Sequence, residues 1–303
     1  MILEEFDSAK TAVLNPWNII EPVEGMPQIA IACYAKTTFD RMAGELEAKV
    51  IAQTCSANGV KPVYSARYKD VEVALFMIDV GAPMSVAMLE DVYRMGVQKM
   101  IIFGTCGVLQ KDIEDCSVIL PDAAVRDEGT GYHYAPPSDE IAVNGRYLET
   151  CKSLLKELGI KYTVGKVWTT DAIYRETPDK VKRRKEQGCI CVDMECSANA
   201  AVAQFREKDL IQFFYAADNL DAEEWDVRSL GNHDKLEEKD RIFSLEEDYG
   251  VPVSFQIENH KIRFIQVTCP DHICENAGFL SMEGQNAVCM PNRTSLSIYG
   301  EEG

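Results

Sequence analysis

The stretch GCICVDMECSANAAVAQF, residues 188–205, decides the fold. Its first half, CICVDM (189–194), has the length and apolar character of a buried strand, and its alanine-rich second half, from Cys196 on, reads as a helix. A strand that passes directly into a helix is the repeating unit of an α/β sheet. The two acids at the junction, Asp193 and Glu195, then need a reason to be there, because an ionised carboxylate in a closing core is costly unless it is paired or meets a polar ligand. One reading is that either acid caps the helix and its dipole. The other places them at a strand's carboxyl end, where ligands of open α/β sheets sit. There Glu195 accepts hydrogen bonds from two vicinal hydroxyls, and Met194 lends an adaptable apolar surface. On this stretch alone the cap is slightly ahead.

Outward from the junction the same unit recurs. Strand-like runs occur at 28–34, 73–80, 99–104, 117–121, 162–170, 189–194 and 211–217. Helical periodicity fills TTFDRMAGELEAKVIAQTC (37–55), SVAMLEDVYRMG (85–96), NGRYLETCKSLLKELG (144–159) and CSANAAVAQFREKD (196–209). The expectation is a three-layer α/β/α domain with a mixed central sheet over residues 1–248. From residue 251 the chain alternates apolar and polar side chains at period two, so 249–303 is expected to form a small all-β module. The basic run KVKRRKEQG (180–188) reads as a solvated helix face.

Three strand ends carry convergent polar groups. GTCG (104–107) offers Gly104, Gly107 and the Thr105 hydroxyl to an anion. TTDAIYRE (169–176) ends a second strand, and AADNLD (216–221) leaves Asp218 where a third opens to the surface. Any one of these reads as a turn; together they favour a site.

Composition narrows the partners. With 31 basic and 49 acidic residues the net charge is 31 − 49 = −18, which repels nucleic acid and anionic membranes at long range. No run approaches 18 apolar residues, and the acidic N-terminus MILEEFDSAK lacks a signal-like apolar core, so a cytoplasmic location is expected. Eleven cysteines, an odd number, fit reduced buried thiols better than a disulfide framework.

The segments DVGAPMSVAMLEDVYRMGVQKMIIFGTCGVL (79–109), RDEGTGYHYAPPSDE (126–140), TTDAIYRE, VDMECSANAAVAQF and YAADNLDAEEWDVR (215–228) together resemble the nucleoside phosphorylase I family, in consistent order over residues 15–245. That resemblance implies cleavage of a ribonucleoside's N-glycosidic bond by phosphate, a co-substrate in an enzyme without a cofactor, giving free base and ribose 1-phosphate. It implies that Glu195 holds the ribose hydroxyls beside Met194 and Asp193, and that Asp218 stabilises protonation of a purine at N7 with Arg228 orienting it. Thr105, Gly104 and Gly107 would cradle phosphate. Ile173 and Tyr174 would lie along the base or sugar, and His133 would reach the 5′-hydroxyl, across a subunit boundary in a homo-oligomer. The family's arginine two residues before the first glycine of GTCG is Ile102 here, and its early glycine-rich loop is replaced by CYAKTTFDR (33–41). Lys36, Arg41 or Arg67 is the substitute for the phosphate ligand. Failing that, water replaces phosphate in a nucleosidase. The same motifs leave room for a uridine phosphorylase and for a non-catalytic nucleoside-binding protein.

The final segment, IENHKIRFIQVTCPDHICENAGFLSMEGQNAVCMPNRTSLSIY (257–299), resembles NusG domain II over about the last 50 residues, with EKDRIFSLEEDYG before it expected as a truncated helix. Its Cys269, His272, Cys274 and Cys289 do not have the regular paired spacing of a zinc site, so no metal is expected.

Overall fold

In the computed structural model the description covers residues 2–57, 59–222, 225, 226, 228, 240–246, 251–268, 270, 272–282, 285–289, 291, 292 and 294–298. The chain divides into two compact units, Met1–Gly231 and Asn232–Gly303, a division earlier than the expected boundary at 248/249.

The first unit is built on a mixed ten-stranded sheet. Parallel strands β1 (Ile29–Cys33), β4 (Val71–Met77) and β5 (Lys99–Val108) form its centre, with β1 between the other two. The antiparallel strands β2 (Lys49–Ser56) and β3 (Gly59–Tyr68) extend it at one edge. Side chains alternate across this half as the pleat requires. Ala30, Ala32, Ala74 and Phe76 face α2 (Ala82–Met95) and α5 (Cys196–Phe205). Cys33, Val73 and Leu75 face α1 (Lys36–Glu45). Helices therefore cover both faces, as expected.

The other half of the sheet curls up. β6 (Val118–Asp127), β8 (Tyr162–Thr170), β9 (Cys189–Asp193) and β10 (Asp209–Asn219) join β5 in a closed ring. β5 pairs with β10, β10 with β6, β6 with β8, β8 with β9, and β9 with β5 again. The short β7 (Glu140–Ala142) pairs with β6 outside the ring. One side of these strands packs on α5 through Cys191, Phe214 and Ala216, and the other on α4 (Pro178–Glu186) through Trp168, Cys189 and Val192. A ten-residue helix, α3 (Leu148–Glu157), lies between β7 and β8.

Two expectations are corrected. The helix read over 37–55 stops at Glu45; Glu47 turns the chain with φ of 49°, and the β-branched, alternating residues that follow form β2 and β3. Within the helix read over EKDRIFSLEEDYG (238–250), Arg241–Ser244 is strand β11, and of the described residues only Glu246 is helical. β11 pairs with β12 (Ser254–Glu258), and β12 pairs with β13 (Lys261–Ile265). Pairing satisfies the backbone of a four-residue segment that is too short for a stable helix. With β14 (Asn286–Cys289) and β15 (Thr294–Ser297), these strands make the second unit mostly β, around Phe255, Ile257, Ile262 and Phe264. Among the described residues no helix is long and apolar enough to cross a membrane, and no group of three His, Cys, Asp or Glu is placed to hold a metal. His272 Nδ1 meets Glu275 at 2.7 Å, Cys274 and Cys289 are buried, and Cys269 lies outside the described residues.

Candidate active site

Asp193 and Glu195 turn out to do different jobs. Asp193 Oδ2 accepts the N–H groups of Glu195 (2.9 Å) and Cys196 (2.7 Å), and its Oδ1 accepts the Thr169 hydroxyl at 2.7 Å. Thr169 Oγ1 in turn accepts the Ser197 N–H at 3.0 Å. Together they satisfy the first turn of α5, so the capping acid is Asp193. Glu195 makes no capping bond. It reaches across to the start of α2, where the Gly81 N–H donates to Oε1 at 2.6 Å.

That contact joins the amino ends of two packed helices over a buried carboxylate; Glu195 is 6% exposed. The far end of α5 is tied to the middle of α2 as well, by Arg206 of the α5 C-cap, which grips Glu90 in a fork with bonds of 2.7–2.9 Å. Burial, then the charge of Asp193, pushes the Glu195 carboxyl up to about 8, against the backbone hydrogen bonds of Gly81 and Met194. Burial also raises Asp193, to about 6, but its three hydrogen bonds favour the ionised form, so the first proton taken up goes to Glu195. Two further acids surround the pair. Glu128 Oε2 and Oε1 accept the Gly131 N–H (2.7 Å) and the Ser197 hydroxyl (2.8 Å), and burial raises its titration. Asp171 Oδ2 accepts the Gly129 N–H at 2.9 Å.

A polar network backs this wall. The Tyr34 hydroxyl is 2.9 Å from Ser85 Oγ, Ser85 donates to Asn199 Oδ1 at 2.7 Å, and Asn199 Nδ2 donates to Tyr34 at 3.0 Å. The end of β1, α2 and α5 are thereby locked together. Burial and the nearby charge of Glu195 hold the Tyr34 phenol well above its usual titration, so it stays a neutral donor. Gly104 exists for this tyrosine: a Cβ there would stand 2.9 Å from the Tyr34 ring.

β9 runs antiparallel to the last part of β5, with Gly107 opposite Val192, so its end turns back toward the middle of that long strand. Thr105 is exposed there, and its partner on β10 is Tyr215. The Tyr215 side chain is hydrogen-bonded to Thr38 and feels the charge of Arg41, both on α1. Of the three cations expected to replace the phosphate arginine, Arg41 is thus the one brought beside the neighbour of Thr105. Lys36 pairs with Asp40, and Arg67 Nε donates to the Lys69 carbonyl at 3.3 Å. Ile102 is fully buried in the apolar cluster under α2 and α5.

Asp218, at the end of β10, is half-buried. A Cβ on Gly107 would lie 3.2 Å from its Oδ1, so that glycine leaves room for the carboxylate. The expected partner, Arg228, is turned elsewhere: its guanidinium donates to the Ile113 carbonyl at 2.8 Å and meets Asp226 at 3.4 Å. Trp225 takes the place, with Nε1 donating to Asp218 Oδ2 at 2.8 Å. Glu176, unnoticed in the sequence, lies in the field of Asp218; burial, then that charge, pushes it up to about 7, with Lys180 opposing. Ile173 and Tyr174 ride on the turn after β8 and are 53% and 94% exposed, and His133 is exposed on the turn Thr130–His133, so within one chain all three are open to solvent.

Known proteins share this architecture. The phosphorylase superfamily profile matches residues 29–242, and the chain belongs to that superfamily. The NusG domain II profile matches residues 221–302, a longer stretch than the last 50 residues that carry the resemblance in the sequence. DeoD-type purine nucleoside phosphorylases from Bacillus cereus and Bacillus mycoides are each 32% identical over 167 residues, covering 50% of this chain and 69% of theirs. Among solved structures, a uridine phosphorylase from Vibrio fischeri ES114 superposes with a TM-score of 0.59 at 22% identity, over 65% of this chain and 82% of that one. A purine nucleoside phosphorylase from Toxoplasma gondii, in complex with immucillin-H, gives 0.58 at 20% identity, over 66% and 83%. At these identities the solved structures speak for the fold. The chain thus falls in a family of pentosyl-transferring enzymes, as expected from its motifs.

Proposed function

We propose that the chain cleaves the N-glycosidic bond of a ribonucleoside, a purine in preference to a pyrimidine, with inorganic phosphate as the acceptor of the ribosyl group. The observation that carries the reading is the placement of Glu195. It is the acid freed from capping, held at the amino end of α2 by the Gly81 N–H, with a second backbone bond from Met194. Ionised, it accepts the ribose 2′- and 3′-hydroxyls. As the C1′–N bond breaks, positive charge grows on the sugar and the bonding pair moves to the base. A proton from Asp218 to N7 neutralises the base, while a phosphate oxygen bonds to C1′. Thr105, the backbone of Gly104 and Gly107, and Arg41 hold that phosphate. The products are the free base and ribose 1-phosphate.

A second reading is favoured by one observation. Ile102 puts a buried methyl-bearing side chain where phosphorylases of the family carry arginine, and a dianion lacking its bidentate partner is weakly held. Water then takes the place of phosphate in a nucleosidase. Incubating inosine, adenosine, guanosine and uridine with and without phosphate, and separating the products, decides between them. Phosphate-dependent release of a purine with ribose 1-phosphate is the expected result. Release that ignores phosphate establishes the hydrolase, release from uridine alone overturns the purine assignment, and no release leaves a binding protein. The same reading makes the chain a cytoplasmic homo-oligomer that binds no nucleic acid, on the strength of its net charge of −18 and of exposed site residues, His133 and Tyr174, that a neighbouring copy would cover.

A further inference from the structure

The two oxygens of Asp218 have different surroundings. Oδ2 accepts the indole N–H of Trp225 at 2.8 Å, while Oδ1 lies over Gly107, whose missing Cβ leaves it room beside the side chains of Leu220 and Val192. The Trp225 ring is 66% exposed, and Ile173, on the turn that leads to Glu176, is 53% exposed. Arg228 is held by the Ile113 carbonyl and Asp226, so the donor to Asp218 is a neutral one.

We propose that Trp225 is the positioning residue of Asp218, holding Oδ2 through its indole N–H so that Oδ1 is the oxygen that carries the proton to the leaving base. The inference deepens the proposed function and rests on its assignment of Asp218. An indole nitrogen is a donor only. The oxygen it binds therefore has no room for a proton on the same line, and a protonated Asp218 carries its hydrogen on Oδ1. On transfer the proton leaves Oδ1 for the base nitrogen, the C1′–N electron pair stays with the base, and the carboxylate left behind is steadied by the N–H on Oδ2. A guanidinium in the same place would fix the orientation too, but would put a full charge beside the acid. A neutral donor orients Asp218 without placing a full charge beside it. Glu176 stands in the field of Asp218, which together with burial raises it, while Lys180 opposes and is shared with Asp127 at 3.3 Å.

The test uses the full chain labelled at its three tryptophan indoles. Trp225→Phe assigns the Trp225 signal. In Asp218→Ala that signal is expected to shift, while that of Trp168, bonded to Asp127 at 3.0 Å, stays in place. In turnover of a purine nucleoside, Trp225→Phe is expected to lower kcat about tenfold with KM changed less than about twofold. An unmoved Trp225 signal overturns the proposal, with or without turnover. So does a Trp225→Phe loss confined to KM, which makes the ring a stacking wall. Wild-type kcat in Trp225→Phe with turnover lost in Asp218→Ala also overturns it, and leaves the proposed function standing. Wild-type kcat in both variants removes Asp218 from the mechanism and Trp225 with it.

Discussion

Replacing Glu195 by glutamine removes a buried charge and keeps the side chain's shape and its bond from Gly81. A carboxyl moved from 4.5 to about 8, by burial first and by Asp193 second, resists ionisation in place by up to about 5 kcal/mol. Because the folded value is raised, the contribution to stability is fully present below pH 4.5 and is eroded as pH climbs toward 8. Glutamine has no proton to lose and escapes that erosion. The Glu195→Gln chain should therefore match the wild type near pH 4.5 and exceed it by about 2 kcal/mol between pH 7 and 8, less than the full figure because Asp193 shares the proton and relaxes. Two hydrogen bonds from ribose hydroxyls to a charged acceptor are lost at the same time, so turnover should fall about 100-fold or more. Urea midpoints at pH 5, 7 and 8, with initial rates alongside, measure both. A variant less stable than wild type at pH 7–8, or a stability gap independent of pH, would refute the assignment of Glu195 as a strained, ligand-facing acid.

Gly107→Ala should lower kcat about tenfold, because the new Cβ would lie 2.5 Å from Leu220 Cδ1 and 3.2 Å from Asp218 Oδ1, forcing both to move; kcat and KM for one purine nucleoside check it. Asp193→Ala strips two N–H groups and the Thr169 hydroxyl of their acceptor and should destabilise the fold by about 2–3 kcal/mol in chemical denaturation. Arg41→Ala should raise the KM for phosphate about fivefold or more and leave the nucleoside KM unchanged, and equal rates at limiting phosphate would return the anion site to other residues.

The junction at residues 193–196 was legible because both its strand and its helix are strong local patterns and because acids in a core demand an explanation. The division of labour between Asp193 and Glu195 was not, since two residues' difference in position decides which acid caps α5 and which reaches the start of α2. The donor that settles it, Gly81, comes from a distant part of the chain. Tyr34, Ser85 and Asn199 share one network from three elements, so no spacing in the sequence announces them. Family pattern points at Arg228 for Asp218, but the backbone bends there with φ of 42°, and a tryptophan holds the oxygen. Helical periodicity ran past Glu45 because it does not register the left-handed turn at Glu47, after which strand pairing takes over.

The closed ring of strands has a consequence for how this protein comes into being. β10 is its last member to be synthesised, and it pairs with β5 along register partners such as Asp209 and Lys99, and with β6 through Phe214 and Ile119. Asp218 is carried on that same strand. A nascent chain emerging from the ribosome therefore holds β5, β6, β8 and β9 without closure, and gains Asp218 in the same step that shuts the ring. Acid and enclosure arrive together, and a chain stopped before β10 has neither.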